Sequence, residues 1–107
     1  MNQKRYKVIV NVPVEGADRL RAALGKAGAG KIGNYDFTSF STRGLGRFRP
    51  LKGAHPTIGT VGKLEEVEEE QIETVVLEQD LRTVLTAIRK AHPYEEPVID
   101  VIELANV

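Results

Sequence analysis

The chain has 107 residues, of which 41% are hydrophobic and 28% are charged. This length and composition are typical of a single globular domain, so we predict one domain over residues 1–107. Fifteen Lys and Arg balance fifteen Asp and Glu, and this zero net charge argues against nucleic acid as the main partner. The absence of cysteine excludes disulfides, thiolate nucleophiles and cysteine-based zinc sites.

The distribution of apolar residues argues against membrane insertion. No apolar run approaches the roughly 18 residues of a membrane span. The polar segment Met1–Arg5 leads directly into a strand pattern and lacks the apolar core of a signal peptide. We therefore expect a soluble, cytoplasmic protein without membrane contact.

The N-terminal part predicts a strand followed by a helix. Residues 5–12 alternate in polarity, which is the period of a half-buried strand. After Pro13, a single helical stripe follows, formed by Leu20, Ala23, Leu24 and Ala27. Gly28 and Gly30 then favour a left-handed helix cap.

Residues 28–62 contain eight of the ten glycines and show no helical period. Two short strands, 35–42 and 46–51, are predicted to form a hairpin around a turn at Gly44-Leu45-Gly46. Residues 52–62 are predicted to form an exposed loop.

Residues 64–77 predict a long strand despite six glutamates between Glu65 and Glu73. Their apolar residues do not share one helical stripe, but they fit a strand with one slip or bulge. We predict Asp80 as the N-cap of a second helix, whose buried face is formed by Leu81, Val84, Leu85 and Ile88.

The segment His92-Pro93-Tyr94-Glu95-Glu96-Pro97 separates this helix from a final strand. Pro93 cannot continue the helix, and Pro97 suits the first position of a strand. We predict that the His92 imidazole caps the helix carbonyls. The final strand, residues 98–104, is apolar on both faces and therefore needs two covers.

The order of these elements predicts an α+β, ferredoxin-like βαββαβ sandwich with an extended glycine-rich β-hairpin segment. Both helices would cover one face of the sheet, and the last strand would lie at its edge. Another copy of the chain is the simplest cover for that strand. We therefore predict a homo-oligomer, a dimer or trimer formed through edge strands.

Several of these segments together resemble a known family. They are Gly28-Ala29-Gly30-Lys31-Ile32-Gly33-Asn34-Tyr35, Phe40, Gly44-Leu45-Gly46-Arg47-Phe48-Arg49-Pro50, Gly53-Ala54, Pro56, Ile58-Gly59, Glu65, Val67 and Glu68. The pattern is similar to the inserted domain of the Nif-three-like (NGG-one-interacting-factor-three-like, YqfO-like) family, here standing alone. His92-Pro93-Tyr94-Glu95 with Pro97 also resembles a CutA motif.

The resemblance implies a PII/CutA-like fold, oligomers built through edge strands, and a regulatory or ligand-sensing role without enzymatic activity. The family's two-metal site lies in flanking segments that this chain does not contain, so a metal-dependent hydrolase is the weaker alternative. Two positions depart from the pattern: Thr38 replaces a frequent cysteine, and His55 replaces a frequent asparagine.

The glycine-rich segment and nearby cations suggest a site for a small anion, because backbone N–H groups of such segments can bind phosphate or carboxylate. The predicted ligand-binding residues are Gly28, Gly30, Lys31, Gly33, Arg43, Arg47 and Arg49. A partner protein is the other ligand that we expect. The P-loop spacing from Gly25 to Lys31 is not followed by the required Ser or Thr.

We predict no cofactor, with a divalent metal (copper or zinc) as the alternative. Its ligands would be His92, Glu95 and His55, which supply nitrogen and oxygen donors. Tyr94 with Glu95 and Glu96 suggests an acid and base pair, but no nucleophile or electrophile lies nearby in the sequence. We therefore predict no catalytic residue.

Overall fold

The structure, a computed structural model, describes residues 3–107. Within this range, four strands and two α-helices follow in the predicted order. They are β1 (Arg5–Pro13), α1 (Ala17–Lys26), β2 (Phe40–Phe48), β3 (Glu65–Leu77), α2 (Glu78–Ala91) and β4 (Ile99–Leu104). One 3-10 turn, Val14–Gly16, joins β1 to α1.

The four strands form one antiparallel sheet in the order β2-β3-β1-β4. β1 lies between β3 and β4, so each β-α-β unit has a strand of the other unit inserted between its own two strands. This is the predicted ferredoxin-like topology. β4 is at the edge of the sheet, as predicted.

The hydrophobic core lies between the sheet and the two helices. Its buried residues are Val8, Val10 and Val12 of β1, Ile72 and Val76 of β3, Leu20 and Leu24 of α1, and Val84 and Ile88 of α2, with Ala17 and Ala29. Because both helices contribute to the same cluster, they cover the same face of the sheet. We call the opposite face the open face; Phe40 and Ile102 lie on it, opposite Glu73 and Lys7, and are 68% and 50% exposed.

The predicted turn at Gly44-Leu45-Gly46 is wrong. Residues 40–48 form one continuous strand that pairs with β3 from Glu73 to Glu65. The hairpin is instead closed by residues 49–64, here called the connecting loop. The first predicted strand is also too long, because residues 36–39 form no strand and Tyr35 makes only an isolated bridge with Ile32.

The long strand predicted through the glutamate run is confirmed as β3. Its register against both neighbours is continuous, so the predicted slip or bulge is absent. Asp80 is not the N-cap of α2. β3 runs directly into α2 with Leu77 at the cap position, and Asp80 lies in the first turn, where Lys31 Nζ is 3.3 Å from its carboxylate.

The predicted left-handed end of α1 is confirmed at Gly28, which has a φ of 108°. The Ala29 N–H donates to the Leu24 carbonyl (3.0 Å), and the Gly28 N–H donates to the Gly25 carbonyl (3.1 Å). These two bonds define a Schellman motif. Neither helix in residues 3–107 is long and apolar enough to cross a membrane.

Candidate ligand-binding cleft

The β2–β3 hairpin projects beyond the rest of the sheet. β1 pairs with β3 only from Glu69 to Leu77, so residues 65–68 pair with β2 alone. We call residues 45–48 and 65–68 the ribbon, and residues 92–97 the junction. The molecule measures 50 Å along its longest axis.

A cleft of about 390 Å³ lies where the ribbon, the connecting loop and the junction meet. This volume falls within the range of about 300–1,000 Å³ that is typical of small-molecule sites. Its walls are mostly apolar, and their apolar residues are Phe48, Pro50, Ala54, Pro56, Ile58 and Val98. Asn11, Gly46, Glu69 and Tyr94 line the cleft from the open face of the sheet and from the junction.

Two contacts hold the connecting loop against the junction. The His55 N–H donates to the two carboxylate oxygens of Glu95, at 3.1 and 3.2 Å. The Thr57 hydroxyl donates to the Pro93 carbonyl at 2.6 Å. The loop therefore forms a wall of the cleft even though residues 49–64 form no helix or strand.

Tyr94 and Glu69 form a hydrogen bond beside the cleft. The Tyr94 hydroxyl donates to Glu69 Oε2 at 2.8 Å, and the Glu69 residue is only 8% exposed. Burial raises the pKa of Tyr94 well above its ordinary value, and the hydrogen bond to the Glu69 carboxylate and its negative charge raise it further. The Phe48 ring packs edge-on against the Tyr94 ring, with centroids 5.8 Å apart.

His92 is a structural residue with both ring nitrogens engaged. The residue is 6% exposed, its Nε2 lies 2.6 Å from the Asn11 carbonyl oxygen, and its Nδ1 accepts the Tyr94 N–H at 3.0 Å. These partners require a neutral imidazole with its proton on Nε2. The predicted capping of α2 by this ring is wrong, because the ring binds a β1 carbonyl. The His92 backbone N–H caps the helix instead, by donating to Ile88.

The three predicted metal ligands are brought together only in part. His55 reaches Glu95 through its backbone N–H. In this geometry His92 has no free ring nitrogen. Within residues 3–107, no three His, Asp or Glu side chains are arranged to hold a metal ion.

The predicted anion-binding residues fall into two separate groups. The Gly30 N–H donates to the Val75 carbonyl at one end of β3, and Lys31 pairs with Asp80 nearby. Arg47, on β2, lies opposite Glu66, and Glu66 is nine positions from Val75 along β3. At about 3.3 Å per residue, the two groups are about 30 Å apart. Arg47 and Arg49 line the cleft, and Arg43 lines a shallower pocket on β2.

The sequence reasoning missed Glu69 and Gly46. Glu69 was missed because it lies in a run of glutamates, and an exposed strand accounts for such a run without any buried acid. Strand alternation was the available signal, since it separates Glu69 from Glu66, Glu68 and Glu70 on the other face of β3. A Cβ atom at residue 46 would overlap the Glu69 carboxylate, so the small residue and the buried acid depend on each other.

No family model matches the chain. Among curated proteins, the GTP cyclohydrolase 1 type 2 homologs of Halalkalibacterium halodurans and Bacillus subtilis are both 50% identical to it, over 94% and 89% of this chain. The chain spans 27% and 26% of the length of these relatives.

Solved structures also resemble this chain. A Bacillus cereus protein related to NIF3 superposes with a TM-score of 0.85 at 46% identity, over 97% of this chain and 26% of the other. The periplasmic divalent cation tolerance protein CutA of Archaeoglobus fulgidus superposes with a TM-score of 0.69 at 16% identity, over 96% of this chain and 86% of the other. The CutA likeness establishes the fold alone.

The topology and the CutA superposition define the class: the chain is an α+β domain with the CutA-like, ferredoxin-type fold. The matches at 46–50% identity make the assignment more specific. The chain is a PII/CutA-like domain of the kind found in NIF3-related proteins.

Proposed function

We propose that this domain is a non-enzymatic, oligomeric regulatory or ligand-sensing domain of the cytoplasm, and that it binds a small ligand or a partner protein in the cleft. The observation that carries the proposal is the cleft itself, whose mostly apolar walls come from separate parts of the chain. A ligand in the cleft would contact the connecting loop and the junction at once, so binding would stabilise their contact.

The chemistry of the cleft supports a role without catalysis. The Tyr94 hydroxyl donates a hydrogen bond to Glu69, and its raised pKa means that the phenol keeps its proton at neutral pH, where it is a poor base. Glu95 is held by a backbone N–H. The word cyclohydrolase belongs to the name of relatives of which this chain covers only 27%. The weaker alternative is hydrolase activity, which would have to survive exhaustive purification and depend on added metal.

Exposed apolar residues at the sheet edge support the predicted dimer or trimer. Val101 and Ile102 of β4 are 40% and 50% exposed. An edge strand also presents unpaired backbone groups that can bind another strand. A second copy of the chain would satisfy both features.

The small-anion version of the proposal depends on Arg47 and Arg49, the two predicted cations that line the cleft. The predicted glycine residues lie near the other end of β3 and would not take part. An anion would have to compete with Glu66 for Arg47, because Arg47 Nη2 lies 2.8 Å from that carboxylate.

A divalent metal is the second candidate function, favoured by the proximity of His55 to Glu95. The fold neighbour CutA is described as a divalent cation tolerance protein. Binding through His92 would require its imidazole to release Asn11 or Tyr94. If His92→Ala leaves copper and zinc affinity unchanged, this alternative fails.

Light scattering at micromolar concentration, together with a thermal-shift panel, tests the proposal. The panel contains adenine nucleotides, phosphate, copper and zinc, because a ligand selective for the folded state must raise apparent stability. We expect a mass above that of one chain. A monomer would contradict the oligomeric part of the proposal. If only metal raises the thermal stability, and His92→Ala abolishes that increase, the metal-binding alternative would replace the proposed function.

A further inference from the structure

Glu69 is a buried carboxylate that forms no ion pair within 4 Å in residues 3–107. Its residue is 8% exposed, and its hydrogen-bond donor is the neutral Tyr94 hydroxyl. The five ion pairs of the described residues do not include Glu69. Burying an ionised carboxylate is costly unless a positive charge compensates it.

The other charged groups lining the cleft are solvated or already paired. Arg47 binds Glu66, and the Glu95 carboxylate accepts the His55 N–H. Arg49 and Glu96 are exposed, where water and salt screen their charges. Of the charged groups that line the cleft, Glu69 would therefore have the strongest electrostatic interaction with a bound ligand.

The surroundings of Glu69 suit an organic cation. Gly46 leaves the space that the Glu69 carboxylate occupies, and both residues line the cleft. Phe48 and Tyr94 provide aromatic rings in the same wall, and aromatic faces attract ammonium groups. The remaining wall, formed by prolines and aliphatic side chains, would cover an apolar body.

We propose that the cleft binds a small organic cation, an ammonium group on an aromatic or aliphatic body, with the Glu69 carboxylate as its counter-charge. The inference rests on the proposed function, in which the cleft is the ligand site, and it adds the chemical class of the ligand. The apolar body packs between the connecting loop and the ribbon, and the ammonium group lies at the Glu69 end of the cleft.

Tryptamine and tryptophol test this proposal, because they share an indole ethyl body and differ in an ammonium or a hydroxyl group. Binding to the purified chain would be measured by calorimetry and thermal shift. We expect tryptamine to bind roughly tenfold or more tightly than tryptophol, since a hydrogen bond to a charged group is worth that factor. Glu69→Gln should remove the preference. Glu68→Gln, the same change on the opposite face of β3, should leave it intact.

The wild-type comparison alone can overturn the inference. Equal binding of the two compounds would reject the cation but keep the cleft as a ligand site. Tighter binding of indole-3-propionate would reject it in favour of an anion. No binding of any of the three would reject it and also count against the cleft. A further outcome is that tryptamine fails to bind while Glu69→Gln lowers the oligomer mass. The counter-charge of Glu69 would then come from another copy of the chain, and the organic-cation proposal would be rejected.

Discussion

At residue 46, the absence of a side chain makes room for an acid from the neighbouring strand. A methyl group there would overlap the Glu69 carboxylate, which Tyr94 holds in place. We predict that Gly46→Ala destabilises the fold by about 1 kcal/mol, because the Glu69 carboxylate must move and lose its hydrogen bond from Tyr94 to make room. Denaturant unfolding would measure this change.

The matched control is Gly44→Ala, two residues earlier on β2. No atom lies within 4 Å of a Cβ built at Gly44, and its φ is not in the left-handed region. This variant should be neutral or slightly stabilising, because alanine restricts the unfolded chain. Equal losses in the two variants would contradict the proposed overlap with Glu69.

Tyr94 gives the stability of the fold a dependence on alkaline pH. Its pKa is raised in the folded state, chiefly by burial and by the Glu69 hydrogen bond, whereas the unfolded value is about 10. Its contribution is therefore complete below about pH 10 and is lost as the pH rises towards the folded pKa.

We predict that the difference in unfolding free energy between wild type and Tyr94→Phe shrinks above about pH 10. Unfolding curves between pH 7 and 11 would measure this difference. Tyr35→Phe, at an exposed tyrosine, is the control. A wild-type to Tyr94→Phe difference that stays constant with pH would show that the Tyr94 proton is not held as described.

At the scale of elements, the order of the connecting loop depends on a few hydrogen bonds. Thr57 donates to the Pro93 carbonyl, and the His55 N–H donates to Glu95. We predict that Thr57→Val loosens the loop, because the valine cannot donate. One bond is worth about 1 kcal/mol, so amide exchange in residues 53–62 should accelerate by about fivefold.

Hydrogen exchange followed by mass spectrometry would test this effect. Thr60→Val is the control, because the Thr60 side chain is exposed and makes no hydrogen bond with residues 3–107. Unchanged exchange in Thr57→Val would mean that the loop is held by its apolar contacts. Tryptamine, if it binds as proposed, should slow exchange in the same segment.

At the scale of the whole molecule, the open face and the β4 edge are where a second copy would bind. Ile102 lies on the open face, opposite Lys7, and is half exposed. We predict that Ile102→Asp lowers the oligomer mass to that of one chain, because a carboxylate buried in an apolar contact is strongly unfavourable. Light scattering over a concentration series would measure the mass.

Val61→Asp is the control for this experiment. Val61 has a similar exposure of 46% but lies in the connecting loop and not in a strand. Its oligomer mass should equal that of wild type. An unchanged mass in Ile102→Asp would exclude this face as the interface and leave the β2 edge to be tested.

The sequence by itself determined the order and type of the elements and the left-handed end of α1. Each of these depends on a local pattern: a period of two for β1, a short apolar run after Pro97 for β4, a period near 3.6 for α1 and α2, and a positive φ for Gly28. The wrong turn at Gly44–Gly46 came from treating glycine only as a turn residue. At Gly46, its small size serves a contact with another strand.

Only the tertiary structure decided which polar residues are buried and which side chains meet. Glu69 and Tyr94 are 25 residues apart. Strand alternation places Glu69 on the same face of β3 as Glu65 and Glu73, but it does not show which of the three is buried. Likewise, the partner of the His92 ring is a carbonyl 81 residues earlier in the chain. Local periodicity cannot encode such pairs, because they depend on the packing of the junction and the connecting loop against the sheet.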